Sequence, residues 1–453
     1  MSPEKDMEMA RTVAAAVAAA GGRVYYVGGI VRDRLLGLSN KDVDIEVHGV
    51  SVESLESILD SIGERIEFGR SFGVYNLRGY ALDIAMPRRE ECIGEKHTDF
   101  KIDVDPYIGT MSAAKRRDFT MNALMEDVLT GEIIDHFGGR EDLAKKTLRH
   151  VNDESFAEDP LRVFRAAQFA ARFGFSVAGE TLEYCRGMDL TALSSERVFE
   201  ELKKALLKSA TPSVFFDVLR KMGHLAHWFP EVEALIGIEQ DPVHHAEGDV
   251  YTHTMMVLDA AASMREGANY PLGFMLSALV HDFGKPATTE VIDGRIHAYG
   301  HEALGLPVVR EFLGRITNER RLIQYVLNMT EHHMKSNVLA GVRASVKSTN
   351  KMFDRAVDPH DLLMLAAADG LGRLPLRDES ENEQFLVERL AVFDEYMSRP
   401  FVQGKDLTSA GFTPGDYFTE LLEYAHKLRL AGVPKESAMK QVQAYYRKEY
   451  KGK

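Results

Sequence analysis

The chain has 453 residues, 45% of them hydrophobic, and a formal net charge of −14 at pH 7. That length buries a sizeable core and predicts two to four domains, while the acidic balance excludes a protein whose whole surface is a nucleic-acid platform. Two cysteines, Cys92 and Cys185, stand far apart in no metal-ligand spacing, which fits ordinary buried thiols in a reducing compartment.

The Ala-rich start, residues 10–20, predicts a helix. Glu4, Asp6 and Glu8 precede it, the wrong charge for a secretory leader, and no apolar run reaches the ~18 residues of a membrane span. The expected location is therefore the cytoplasm, with no membrane partner. The first 150 residues then read as a small domain with a mixed sheet. A strand over Arg23–Val27 ends in Gly28-Gly29, a short helix covers Val31–Leu36, and a second strand carries Asp42 and Asp44 alternating with Val43, Ile45 and Val47. On a strand the two carboxylates share one face, about 6.5 Å apart, close enough to converge on metal ions. Glu46 continues the alternation one step further away. A helix over Val52–Ile62 follows, then strands over Arg65–Phe68, Gly73–Leu77 and Tyr80–Met86, with Asp83 a candidate third carboxylate.

Glycines without β-carbons let backbone N–H groups approach a phosphate, and Arg32 supplies a cation beside the turn. Among the basic clusters, Lys115-Arg116-Arg117 and Lys145-Lys146 with Arg149 are local candidates for an anionic partner. Lys203-Lys204 and the Lys-rich tail from Lys427 read as solvated surface.

The order VGGIVRDRLLG (27–37), KDVDIEV (41–47), KRRDFTMNALMED (115–127), GEIIDHFGGREDL (131–143), LRHV (148–151) and EDPLRVFRAAQFAARFGF (158–175) resembles the class II tRNA nucleotidyltransferase and poly(A) polymerase family, which belongs to the polymerase-β-like nucleotidyltransferases. The resemblance implies transfer of a nucleoside monophosphate from ATP or CTP to an RNA 3′ hydroxyl, with magnesium held by Asp42 and Asp44. It implies a triphosphate held by Gly28, Gly29, Arg32 and Arg117, and a nucleotide contact from Arg165. Gln168 stands where relatives often carry arginine. Asp118 matches a family position, and beside two arginines it also reads as ordering them through ion pairs; Asn122, Asp135 and Arg140 match family positions and have ordinary hydrogen-bonding explanations.

The segment Glu158–Arg162 opens a helix, with Pro160 just inside it. Asp159 and Arg162 fall on one face. An acceptor beside a donor matches the amino group and ring nitrogen of cytosine and adenine and opposes uracil and guanine; the family is similar in using this pair as a protein template. The segment 87–112 resembles the loop that switches specificity from C to A in relatives, with Met-Ser-Ala-Ala (111–114) in place of the usual acids. Helices over Leu182–Arg186, Ser195–Lys208 and Pro212–Met222 form a neck, with Trp228 and Phe229 in a core.

Further on, YTHTMMVLDAA (251–261), ALVHDFGKP (278–286), YGHEALG (299–305), TEHHMKS (330–336) and LAAADGLGR (365–373) resemble the HD phosphohydrolase superfamily. The resemblance implies a divalent metal, of unidentified element, on His253, His281, Asp282 and Asp369, with His301 and His333 nearby. His244, His245 and His297 read as satisfied polar residues. The tail reads as helices interrupted over 402–418.

The fold class expected is α+β: a polymerase-β-like nucleotidyltransferase head with a mixed sheet (1–150), an all-helical neck with base recognition (151–236), an HD domain (237–376) and a helical tail (377–453). The leading function is CCA synthesis or repair on tRNA with an appended 2′,3′-cyclic phosphodiesterase or phosphatase. A poly(A) polymerase, a CC-only or A-only enzyme, and an HD phosphohydrolase whose head only binds RNA are the alternatives. The oligomeric state is left open.

Overall fold

A computed structural model of the chain describes residues 3–40, 42–67, 73–92 and 100–450. Phe68, residues 93–99, the Cys92 side chain, and Lys451 and Lys453 of the tail lie outside the described residues. Cys185 is a buried free thiol, as expected. The chain forms two compact units, one of Met1–Ala205 with Val214–His224, the other of Leu206–Ser213 with Leu225–Lys453.

The first unit is built on a seven-stranded sheet. Its strands are β1 (Arg23–Val27), β2 (Val43–His48), β3 (Arg65–Glu67), β4 (Val74–Leu77), β5 (Leu82–Ala85), β8 (Met125–Asp127) and β9 (Ile133–Ile134), while β6 (Arg88–Cys92) and β7 (Phe100–Val104) form a separate hairpin. The order is β3-β4-β5-β2-β1-β8-β9, which puts β2 in the middle. It runs antiparallel to β1 and parallel to β5, so the sheet is mixed as expected.

The alternation of β2 fixes its register. Val43, Ile45 and Val47 are 1%, 0% and 0% exposed, and each aliphatic side chain so buried stabilises by ~1.5–3 kcal/mol. A one-residue slip would turn all three out and the acids in. The helix Pro3–Ala19 covers this core through Ala10, Val13, Ala14 and Val17, and Val52–Ile62 adds Leu55 and Leu59.

The helix Leu161–Phe173 buries one face with Val163, Phe164, Ala167 and Ala170. Pro160 stands at its cap, not inside it as expected. Neck helices follow at Gly179–Arg186, Ser195–Lys208 and Ser213–Lys221.

The second unit is helical. Val250–Met264, Pro271–Val280, Arg320–Gly341 and Pro359–Leu371 pack around a core in which PLGFMLSALV is apolar nearly all round and buried from Leu272 to Val280. Asp249 and Asp358 cap two of these helices by accepting the N–H groups of Thr252 and Asp361. Trp228 and Phe229 are core residues. The tail helices Tyr417–Leu430 and Lys435–Tyr450 close on their own cluster of Leu407, Phe412, Leu421 and Val442, with Tyr424 stacked on Tyr445. No helix among the described residues is long and apolar enough to cross a membrane.

Candidate active site and metal centre

The parallel pairing of β2 with β5 sets Asp44 directly beside Asp83. Asp42 is exposed just before β2. Burial pushes Asp44 up to about 6, Asp83 and Asp42 adding to the effect and Arg117 opposing it. Asp83 accepts a hydrogen bond from Asn76 at 2.9 Å. Among the described residues no donor reaches the carboxylates of Asp42 or Asp44. Clustered hard oxygens without donors are a donor set that fits a divalent cation.

Glu46 lies on the same face but serves differently. It is 1% exposed, with Oε1 2.9 Å from His48 Nε2 and Oε2 3.4 and 3.5 Å from the guanidinium groups of Arg116 and Arg117. Burial opposes its charge, yet the His48 hydrogen bond and the two arginines outweigh burial and hold it at about 2. It therefore anchors Arg117. Gly28, at φ 70°, has Arg117 Nη1 only 3.4 Å from where a β-carbon would stand, so the glycine turn and this arginine are neighbours.

Arg32 is 4% exposed and engaged on every side. Its Nε donates to Asp33 Oδ1 and its Nη1 to Asn122 Oδ1, both at 2.7 Å, and its guanidinium lies over the rings of Phe169 and Phe173. Asn40 donates to Asp33 at 2.8 Å, Asn122 to Asp118 at 2.9 Å, and Arg165 grips Asp118. One buried polar chain thus ties the glycine turn, the basic motif and the helix Leu161–Phe173 together. Gln168 is 1% exposed, and its Nε2 has no hydrogen-bond partner; it is an interior residue, so the exchange from arginine is no surface change.

Asp159 and Arg162 share the entry to that helix, the Arg162 N–H donating to the Asp159 carbonyl at 3.0 Å, and their side chains take separate partners. Asp159 accepts from Leu161 N at 3.1 Å and pairs with Arg197 at 2.7 Å. Arg162 donates to the carbonyls of Ser155 at 2.5 Å and Arg116 at 2.8 Å. A carboxylate has about four acceptor sites and a guanidinium five donors, so both retain capacity for a ligand.

In the second unit five segments meet. His253 comes from Val250–Met264, His281 and Asp282 follow Pro271–Val280, His301 starts a short helix, His333 lies in Arg320–Gly341 and Asp369 in Pro359–Leu371. Their ligating atoms form two triads, His253–His281–Asp369 and Asp282–His301–His333, each within 4.8 Å. Asp282 links them: Oδ2 is 3.2 Å from His281 Nε2 and Oδ1 is 3.2 Å from His301 Nε2. Gly284 makes the approach possible, since a β-carbon there would lie 2.0 Å from the His301 carbonyl oxygen.

His281, His301 and His333 each donate Nδ1–H to a carbonyl one turn earlier, Ala278, Ala298 and Thr330, at 2.7 to 2.8 Å. That leaves Nε2 of each ring for the cavity. His281 Nε2 is buried without a hydrogen-bond partner. Burial, with His281 and His301 alongside, pushes His333 down to about 3, so it is neutral. Burial opposes charge on Asp282 and Asp369, but His281 with Lys285, and Arg373, hold the two carboxyls well below the usual range. A neutral His333 and the orphaned His281 nitrogen beside ionised carboxylates fit a divalent cation.

The structure brings together every metal-site residue expected from the sequence. It adds several with no spacing signal. Glu247 accepts from His253 Nδ1 at 3.0 Å, Lys285 lies 2.7 Å from Asp282 Oδ2, and Arg373 pairs with Asp369. His245 is a bonded polar residue, at 2.7 Å from Glu247.

Known families match in the same order along the chain: the Poly A polymerase head domain over residues 24–149, the probable RNA and SrmB-binding site of polymerase A over 174–236, and the HD domain over 250–374. Fold and family matches together define a nucleotidyltransferase head followed along the chain by an HD domain. The "Multifunctional CCA protein" of Actinobacillus pleuropneumoniae serotype 5b is 36% identical over 383 residues, covering 82% of this chain and 89% of that one. That of Cupriavidus metallidurans is 34% identical over 433 residues, covering 92% and 99%. The chain belongs to this multifunctional CCA protein family. The Bacillus stearothermophilus CCA-adding enzyme in complex with CTP shares the fold at a TM-score of 0.67 and 21% identity, over 99% of this chain and 100% of that one. The Thermotoga maritima CCA-adding enzyme complexed with tRNA does so at 0.65 and 20%, over 98% of each.

Proposed function

We propose that the chain adds C and A to the 3′ end of tRNA, using CTP and ATP in the cytoplasm, and that its HD centre hydrolyses phosphoesters of the 2′,3′-cyclic phosphate kind. The observation that carries the first part is the carboxylate cluster of Asp42, Asp44 and Asp83, the first two without donors among the described residues, beside a glycine turn and the braced Arg117. Asp42 and Asp44 would hold magnesium, whose bound charge supplies acidification of the attacking hydroxyl and stabilisation of the leaving pyrophosphate. Gly28 and Gly29 would admit the phosphates to the backbone, Arg117 would clamp them, and Arg32 would add charge from behind the turn. Asp159 would accept the base amino group while Arg162 donates to the ring nitrogen, and Arg165 would set the helix that presents them. Domain limits at 150, 236 and 376 go with this reading.

In the HD centre, His253, His281, Asp282 and Asp369 would hold the metal. Lys285 and Arg373 would neutralise a phosphate brought to it.

The deciding experiment gives the purified protein tRNAs lacking one, two or three 3′ nucleotides, with single and mixed nucleoside triphosphates, and sequences the products. Completed CCA ends are expected. A stop after CC, addition of A alone, or long oligo(A) tails would replace this reading with the corresponding alternative. Hydrolysis of a 2′,3′-cyclic phosphate, lost in His281→Ala, tests the second part.

A further inference from the structure

The helix Arg320–Gly341 sends two neighbouring histidines to different surroundings. His333 joins the metal centre, whereas His332 lines a separate cavity of about 270 Å³ between this helix and Val346–Arg355. His332 is 3% exposed, and its Nδ1 accepts a hydrogen bond from Lys335 Nζ at 2.9 Å. The ring proton is therefore on Nε2, and no described residue accepts it.

Lys335, Lys351 and Arg355 line the same cavity, and none has a carboxylate within ion-pair distance among the described residues. Glu302 is the one acidic group in the lining. Three cations without ion-pair partners, together with the His332 Nε2–H, outnumber the single carboxylate of Glu302 in the lining. In a chain of net charge −14, such a set calls for an anionic ligand rich in acceptors. The other wall is apolar, with Met334 and Met352, whose polarisable sulfurs suit an aromatic ring. The volume is near the lower end of small-ligand sites, ~300–1,000 Å³, and so suits one nucleotide.

We propose that this cavity is a nucleotide-binding site distinct from both reaction centres. The phosphoryl group is held by Lys335, Lys351, Arg355 and His332 Nε2, and the base lies against Met334 and Met352. The nucleotide is either a free mononucleotide or the terminal residue of an RNA strand, which present the same chemistry. Met334 also borders the cavity over the HD residues.

Calorimetric titration of the full-length protein with AMP, in EDTA, tests this. Binding is expected in the wild type, unchanged in Asp42→Ala and His281→Ala, and at least tenfold weaker in the Lys351→Glu/Arg355→Glu variant. Both substituted residues are exposed on a helix, and circular dichroism checks the fold. In the wild type, AMP should also shift the methyl resonances of Met334 and Met352. No AMP binding by the wild type, or equal binding by the double variant, overturns the proposal. So does ribose 5-phosphate binding as tightly as AMP in the component the double variant loses. Displacement of AMP by a short single-stranded RNA assigns the site to an RNA end, and failure to displace assigns it to the free nucleotide.

Discussion

Arg165 holds Asp118 through two guanidinium nitrogens, Nε at 2.8 Å and Nη2 at 2.5 Å, both on Oδ2. The pair joins residues 47 positions apart and closes the polar chain that begins at Asn40. Asp118 is nearly inaccessible, while the Arg165 side chain is 31% exposed. Loss of a buried partner costs ~3–5 kcal/mol, and Arg165's exposure puts this pair at the low end. Asp118→Ala should destabilise the first unit by about 3 kcal/mol, read by denaturant unfolding.

The same pair gives an acid dependence. Burial opposes the charge on Asp118, but Arg165 and Asn122 outweigh it and lower the carboxyl below its usual range. Its stabilisation is therefore complete above the unfolded value of ~3.9 and disappears as pH falls through the lower folded value. Unfolding curves between pH 5 and the acid limit should show this slope in the wild type and a reduced slope in Asp118→Asn.

Asp42→Ala and Asp44→Ala, which remove the proposed head ligands, should lower the rate of nucleotide addition about a thousandfold or more, equivalent to ~4 kcal/mol of transition-state stabilisation. Hydrolysis of a cyclic phosphate should be untouched. If both activities fall together, the two centres are not independent.

The Asp159–Arg197 contact predicts an effect on selectivity. Asp159→Ala should admit UTP and GTP about ten to a hundredfold more readily relative to CTP and ATP, the scale of a lost bidentate base contact of ~1–3 kcal/mol. Arg197→Ala leaves the acceptor present but unanchored, so a smaller change in the same direction is expected. Misincorporation ratios on a tRNA acceptor measure both.

Glu247 stands behind His253 and fixes which ring nitrogen faces the metal cavity. Glu247→Gln should weaken metal affinity ~10–100-fold, the usual scale for such supporting groups, with nucleotide addition unchanged. Metal titration followed by calorimetry reads it directly.

What was legible in the sequence was whatever repeats locally or carries a motif. The alternation of Val43, Ile45 and Val47 with the acids placed β2 and its faces, and glycine punctuation placed the strands around it. The histidines and aspartates of the HD centre were legible because each lies in a recognisable segment. Pairings across long stretches were not. Nothing near Asp118 names Arg165, nothing near His253 marks Glu247 as its support, and Arg197 gives no sign of Asp159. Arg32 shows the limit most clearly. Its place beside the glycine turn was evident, but its burial depends on Phe169 and Phe173, which only folding brings over it.

The strand β2 is held by neighbours running in opposite senses, β1 against it and β5 along it. Two independent hydrogen-bond ladders thus agree on one frame. A substitution disturbs one face at a time, but an inserted or deleted residue within the strand would satisfy neither neighbour. β2 is therefore expected to tolerate a conservative exchange such as Val47→Ile and no change of length.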